Sequence, residues 1–192
     1  MEIAEFISII FIAISLSACA GIRAFIPPLA ISILALAGKI QLAQGFEWMA
    51  SWEVATIFGV AALLELVADK FPGVDNLLDA AGLVIKPVAG ALLTTSLITS
   101  IDPVLALALG IILGGGIAGT VHLAKTKLRL ASTAFTGGLA NTTVSVIEDG
   151  VVIGGTVLGY LVPLLVGALA IIGAVFLLRL VFHRRRQNEA QV

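Results

Sequence analysis

The chain has 192 residues, of which 59% are hydrophobic and 12% charged, with a formal net charge of −1. Mean hydropathy is +1.13, and so little charge leaves too few solvating side chains to cover a water-soluble domain. The near-neutral balance shows no basic stripe or aromatic platform for nucleic acid, and the one cysteine, Cys19, excludes an internal disulfide and a multi-cysteine metal site.

These limits leave an all-α integral membrane protein, a polytopic transmembrane bundle of five to seven helical segments, some discontinuous. A single membrane domain is expected over 1–182, followed by a basic cytoplasmic tail, 183–192, without fixed structure. Residues 3–20 are the first candidate span. Leu16-Ser17-Ala18-Cys19 resembles a lipoprotein cleavage site, but Glu2 and Glu5 are acidic where a signal peptide needs a basic start, so a retained helix is expected.

Gly21-Ile22-Arg23-Ala24-Phe25-Ile26-Pro27-Pro28 follows, where glycine and two prolines predict a helix break. The apolar piece 28–38 is too short to cross untilted and reads as a half-helix or a re-entrant segment. Residues 39–53 form a polar link in which Trp48 and Trp52 suit the headgroup level. The next spans are 53–69, closed by Pro72-Gly73, and 77–99. Asp102-Pro103 opens the fourth, 103–124, with Asp as N-cap and Pro in the first turn. Residues 130–147 are uncharged and polar, and read as a further crossing closed by a tight turn at Glu148-Asp149-Gly150. The stretch 151–182 would be about 48 Å long, so a break near Pro163 is expected.

Lys125, Lys127 and Arg129 form one basic cluster and Arg184, Arg185 and Arg186 another. The positive-inside rule places both in the cytoplasm, with the C-terminus, in the cell (inner) membrane. Ser17–Ala24 and Thr133–Ala140 share the pattern [ST]-A-x-[AT]-G-x-x-A, which allows an inverted repeat with binding sites at broken helices.

Ionisable residues inside such a chain cost roughly 2.5–3.5 kcal/mol each on insertion scales, so they mark the residues to suspect. Lys86 lies mid-span before Pro87, flanked by Gly82 and Gly90, which let a neighbouring helix approach. Glu65 lies on the other arm of the same helical hairpin and is its expected ion partner, with Asp69 one turn away. Arg23, at the predicted break, offers five donors to an anion. Asp69, Lys70, Asp75, Asn76 and Asp79 read as a solvated turn, or as one folded under the bundle to neutralise Arg23. His122, Lys125 and Arg129 share a helical face, either anchoring the helix at the cytoplasmic surface or forming a basic vestibule. Thr136, Gly137 and Gly138, with Asn141, Thr142, Thr143 and Ser145, form the most polar uncharged segment, with a second break at the glycine pair. Gly110, Gly114, Gly115, Gly116 and Gly119, and Gly155 with Gly159, are packing seams that also suit a homodimer.

The stretches Ala20–Pro28, Glu65–Lys70 and Thr133–Asn141 resemble an uncharacterised bacterial multi-pass membrane family called domain of unknown function 4126. The resemblance covers roughly residues 5–180. It implies a multi-pass protein and supplies no reaction, so no catalytic residue carries over.

The leading expectation is a transporter or flippase for a small polar or anionic solute or lipid headgroup, proton- or ion-coupled. Arg23, Lys86, Thr136 and Asn141 would contact substrate, and Glu65 and Asp69 would couple charge. A non-transporting scaffold with structural ion pairs is the alternative. An enzyme is not expected: no metal-ligand set, cofactor motif or nucleophile–base pair stands at a recognisable spacing.

Overall fold

The computed structural model describes residues 3–71, 74–136 and 141–189, with the side chains of 75, 76, 141, 142, 164, 177, 178 and 180–189 left out of the description. Seven helices make up the described chain: α1 (Ile3–Ile22), α2 (Ile26–Leu36), α3 (Trp52–Ala68), α4 (Val74–Leu97), α5 (Pro103–Thr136), α6 (Asn141–Leu161) and α7 (Pro163–Glu189). There is no strand among the described residues. Four segments are long and apolar enough to cross a membrane: Ile3–Ile22, Leu77–Leu97, Pro103–Thr136 and Thr143–Leu161.

Helix ends follow local chemistry. Ser51 caps α3, its hydroxyl accepting from the Val54 N–H at 3.3 Å. Asp102 caps α5, its carboxylate accepting from Val104 at 2.9 Å and Leu105 at 3.4 Å, and Pro103 occupies the first turn, where no donor is required. Pro27 and Pro28 likewise sit in the first turn of α2, so the break falls just before them, at 23–25. The expected half-helix is thus the 11-residue α2. Pro163 separates α6 from α7 as expected.

Two sequence expectations are corrected. Glu148, Asp149 and Gly150 do not form a turn; they lie inside α6. Their carboxylates are neutralised by cations of other helices, described below, so they need no water-exposed turn. The fourth span does not end at 124 but runs to Thr136, because the charges at Lys125 and Arg129 are also compensated inside the bundle. The segments between the two basic clusters are therefore α6 and α7, still two in number. Residues 137–140, where the second glycine break was expected, lie outside the described residues. Helix α7 continues to Glu189, through the segment read as a tail.

Helix α1 is the hub, packing against α2, α4, α5, α6 and α7. Its second half is built from small residues, and Ala13, Ser15, Ser17, Cys19, Ala20 and Gly21 are all buried. They let neighbours approach closely enough for backbone contact. A side chain on Gly21 would strike the Ala118 carbonyl of α5. Ser17 Oγ donates to the Gly90 carbonyl of α4 at 3.1 Å and meets Thr94 Oγ1 at 3.0 Å. Gly90 and Gly114 meet backbone to backbone where α4 crosses a π-helical turn of α5, Gly110–Gly115. Ala13, Leu16, Ala20, Ile31, Met49, Leu93 and Leu97 form the apolar core. Outward-facing residues such as Leu63, Val84, Val88, Ile112 and Val157 stay exposed, as a lipid-facing surface requires.

Contacts fix the directions. Ser15 lies at Gly159 and Cys19 at Gly155, so α1 and α6 run in opposite directions. The second of the two matching motifs, 133–140, lies partly outside the described residues. The opposite end of the bundle is marked by Tyr160, whose hydroxyl donates to the Lys39 carbonyl at 3.4 Å, with exposed Trp48 and Trp52 in the 39–53 link.

Candidate functional site

The break between α1 and α2 releases backbone N–H groups inside the bundle, and one carboxylate collects them. Glu65 Oε1 accepts from Ala24 N at 3.0 Å and Oε2 from Phe25 N at 3.4 Å. Glu65 is buried on α3, so these donors replace water around its charge. This anchoring explains why the expected Glu65–Lys86 ion pair is not made: the carboxylate is turned to the break. Among the described residues Lys86 forms no ion pair. It is nonetheless 4% exposed. Glu65 and Lys86 line one cavity of about 230 Å³ between α3 and α4, walled by Phe25, Leu64, Leu78 and Ile85.

Beside this cavity lies a network of four cations and four carboxylates: Arg23, Lys70, Lys125 and Arg129 against Asp69, Asp79, Glu148 and Asp149. Arg23 is 1% exposed; Nη2 contacts Asp69 at 2.7 Å and donates to Ser145 Oγ at 2.9 Å, while Nε donates to Asp149 at 2.9 Å. Arg129 grips Asp69 with both Nη atoms, at 2.6 and 2.5 Å, the bidentate geometry that a planar guanidinium favours. Ser145 Oγ donates to the same Asp69 at 2.9 Å. Lys125 reaches Glu148 at 3.1 Å and donates to the Ile22 carbonyl, orphaned at the end of α1, at 3.2 Å. Lys70 closes the edge on Asp149 at 2.9 Å.

His122 is fully buried, its ring over Gly82. Its Nε2 lies 2.9 Å from the Asp79 carbonyl, which only accepts, so Nε2 carries the proton. Among the described residues no cluster of His, Cys, Asp or Glu is placed to hold a metal ion.

The structure thus gathers Arg23, Lys86, Glu65 and Asp69 at one end of the bundle. Asp69 and Asp79 do not lie in a solvated turn; they fold under the bundle onto Arg23 and Arg129. Lys125 and Arg129 are buried and so are not surface anchors. Thr136 lies about two turns beyond Arg129, exposed, its hydroxyl donating to the Ser132 carbonyl at 2.8 Å. Asn141 starts α6, and its side chain lies outside the described residues. Sequence reasoning placed Ser145 only in the polar segment and missed Glu148 and Asp149 as site residues. Their signal is spacing: 145, 148 and 149 fall on one helical face at offsets of three and four, and 125 and 129, four apart, share the basic face that Glu148 meets.

A seven-helix fold with four apolar spans and a buried, self-compensated charge network defines a polytopic membrane protein. The family described as Domain of unknown function (DUF4126) matches residues 10–183, and the chain belongs to it. The comparisons with curated proteins and with solved structures each found no match.

Proposed function

We propose that this protein transports or flips a small polar group across the membrane, an anionic solute or an anionic lipid headgroup, at the cavity lined by Glu65 and Lys86. The observation that carries the reading is Lys86, an ammonium buried in an apolar wall, facing a cavity, with no carboxylate in ion-pair contact among the described residues. Its net charge with Glu65 is zero. An anion bound to Lys86 would leave the pocket at −1 in a low dielectric, and a proton on Glu65 would restore neutrality. That arithmetic supports proton coupling. Arg23 and Asp69 then position the break rather than touch substrate, since Arg23 Nε and Nη2 and both Asp69 carboxylate oxygens are occupied by protein groups.

The positive-inside rule puts the charged end, with Lys127 and the α7 terminus, in the cytoplasm of a cell (inner) membrane.

A second reading, a non-transporting scaffold, is favoured by one observation: the network is balanced and internal, as a structural device would be. Proton and anion flux in liposomes separates the two. Transport requires flux from the wild type that is lost in Glu65→Gln and Lys86→Met while both variants stay folded. Absence of wild-type flux with anionic solutes and labelled anionic lipids would leave the scaffold reading.

A further inference from the structure

A second cavity, of about 200 Å³, lies on the other side of α4, between α4 and α5, lined by Asp79, Leu83, Thr126, Arg129, Leu130 and Thr133. Three polar atoms on its lining residues lack a hydrogen-bond partner among the described residues: Asp79 Oδ1, Arg129 Nε and Thr126 Oγ1. Asp79 is 8% exposed and Arg129 3%, so water at the surface does not serve them. Each group is paired through its other atoms, and a buried donor or acceptor left over beside a cavity calls for a partner. From this constellation we infer a binding site for a zwitterionic lipid headgroup that joins a primary ammonium to a phosphate, as in phosphatidylethanolamine.

The chemistry narrows the class stepwise. Asp79 Oδ1 is an acceptor and needs a donor; Arg129 Nε is a donor and needs an acceptor. The occupant therefore carries both within one small group. The adjoining network is already balanced, four cations to four carboxylates, so an occupant with net charge would leave a buried charge uncompensated. A zwitterion satisfies both demands at zero net charge. The ammonium must also hold N–H bonds for Asp79, which a quaternary choline lacks.

The walls favour a lipid as its source. Leu83 and Leu130 are more than half exposed on the outer surface of α4 and α5, where acyl chains would lie. Arg129 is about 39 Å along α5 from Pro103, past a hydrocarbon core of about 30 Å and within the headgroup zone of a 40–45 Å bilayer. This site stands apart from the Glu65–Lys86 cavity, and its occupancy does not require transport.

The test is native mass spectrometry of the full chain in detergent, titrated with phosphatidylethanolamine, phosphatidylcholine and phosphatidylglycerol of identical acyl chains. The expected result is retention of phosphatidylethanolamine over the other two by about tenfold, the scale of one charged hydrogen bond. Leu130→Trp, which blocks the mouth without touching a charge, and Asp79→Asn should each erase that preference. Equal retention of the ethanolamine and choline lipids would overturn the inference, as would a preference unchanged in Leu130→Trp. Free phosphoethanolamine is the control for source; competition as strong as the lipid's own binding would overturn the assignment to a lipid.

Discussion

Arg23 and Asp69 meet at 2.7 Å between the α1–α2 break and the end of α3, and the same Asp69 oxygen also receives Ser145 and Arg129. One carboxylate therefore ties the α1–α2 break and the end of α3 to α5 and α6. Removing a partner from a buried ion pair leaves an uncompensated charge and costs about 3–5 kcal/mol. Asp69→Asn should show a loss of that size in thermal or denaturant unfolding in detergent. Asp149→Asn should lose less, because the Asp149 side chain is 17% exposed against 2% for Asp69, and water compensates part of the change. Equal losses would mean that the network is solvated.

The α4–α5 crossing supplies a second test, of packing alone. A Cβ on Gly114 would overlap the Gly90 carbonyl, while one on Gly150 meets nothing within 4 Å. Overpacking a tight contact costs about 1–3 kcal/mol, and glycine is about 1 kcal/mol worse than alanine inside a helix. Gly114→Ala should therefore lower the melting temperature and Gly150→Ala should leave it unchanged or raise it. A tolerant Gly114→Ala would mean that the two helices stand further apart.

Glu65 carries a prediction about the break itself. Glu65→Ala would orphan the Ala24 and Phe25 amides, whereas Glu65→Gln keeps one carbonyl oxygen to accept and loses one bond, worth about 0.5–1.5 kcal/mol. Hydrogen exchange at Ala24 and Phe25 should rise strongly in Glu65→Ala and modestly in Glu65→Gln. Unchanged protection in both would show that the break is held by something else.

The helical spans were legible because apolar runs and their punctuation are local: Pro27, Pro28, Asp102, Pro103 and Pro163 end or start helices where their own chemistry predicts. Arg23, Glu65, Asp69 and Lys86 were legible for a similar reason, as charges where an apolar chain carries few. Their partners were not. Glu148-Asp149-Gly150 reads locally as a turn, and only the arrival of Arg23, Lys125 and Arg129 from distant helices makes a helical interior affordable there. Likewise, the hairpin arithmetic that paired Glu65 with Lys86 knows helix depth but not that the α1–α2 break presents two amides to the carboxylate first.

Lys86 separates a functional charge from a structural one. It has no ion partner among the described residues, and Glu65 across the cavity keeps the Ala24 and Phe25 amides as its own donors, so replacing Lys86 with methionine, of similar length and without charge, removes a desolvation cost and breaks no contact. Lys86→Met should keep or raise the unfolding midpoint in detergent, in contrast with the loss expected for Asp69→Asn. If the cavity binds an anion through that ammonium, the same variant should lose anion flux in liposomes by tenfold or more, about 1.4 kcal/mol of binding or barrier. Stability and activity then move in opposite directions, as for a group kept at a cost to folding. A Lys86→Met variant that unfolds as readily as Asp69→Asn would instead place Lys86 inside the structural network and remove the ground for an anion site.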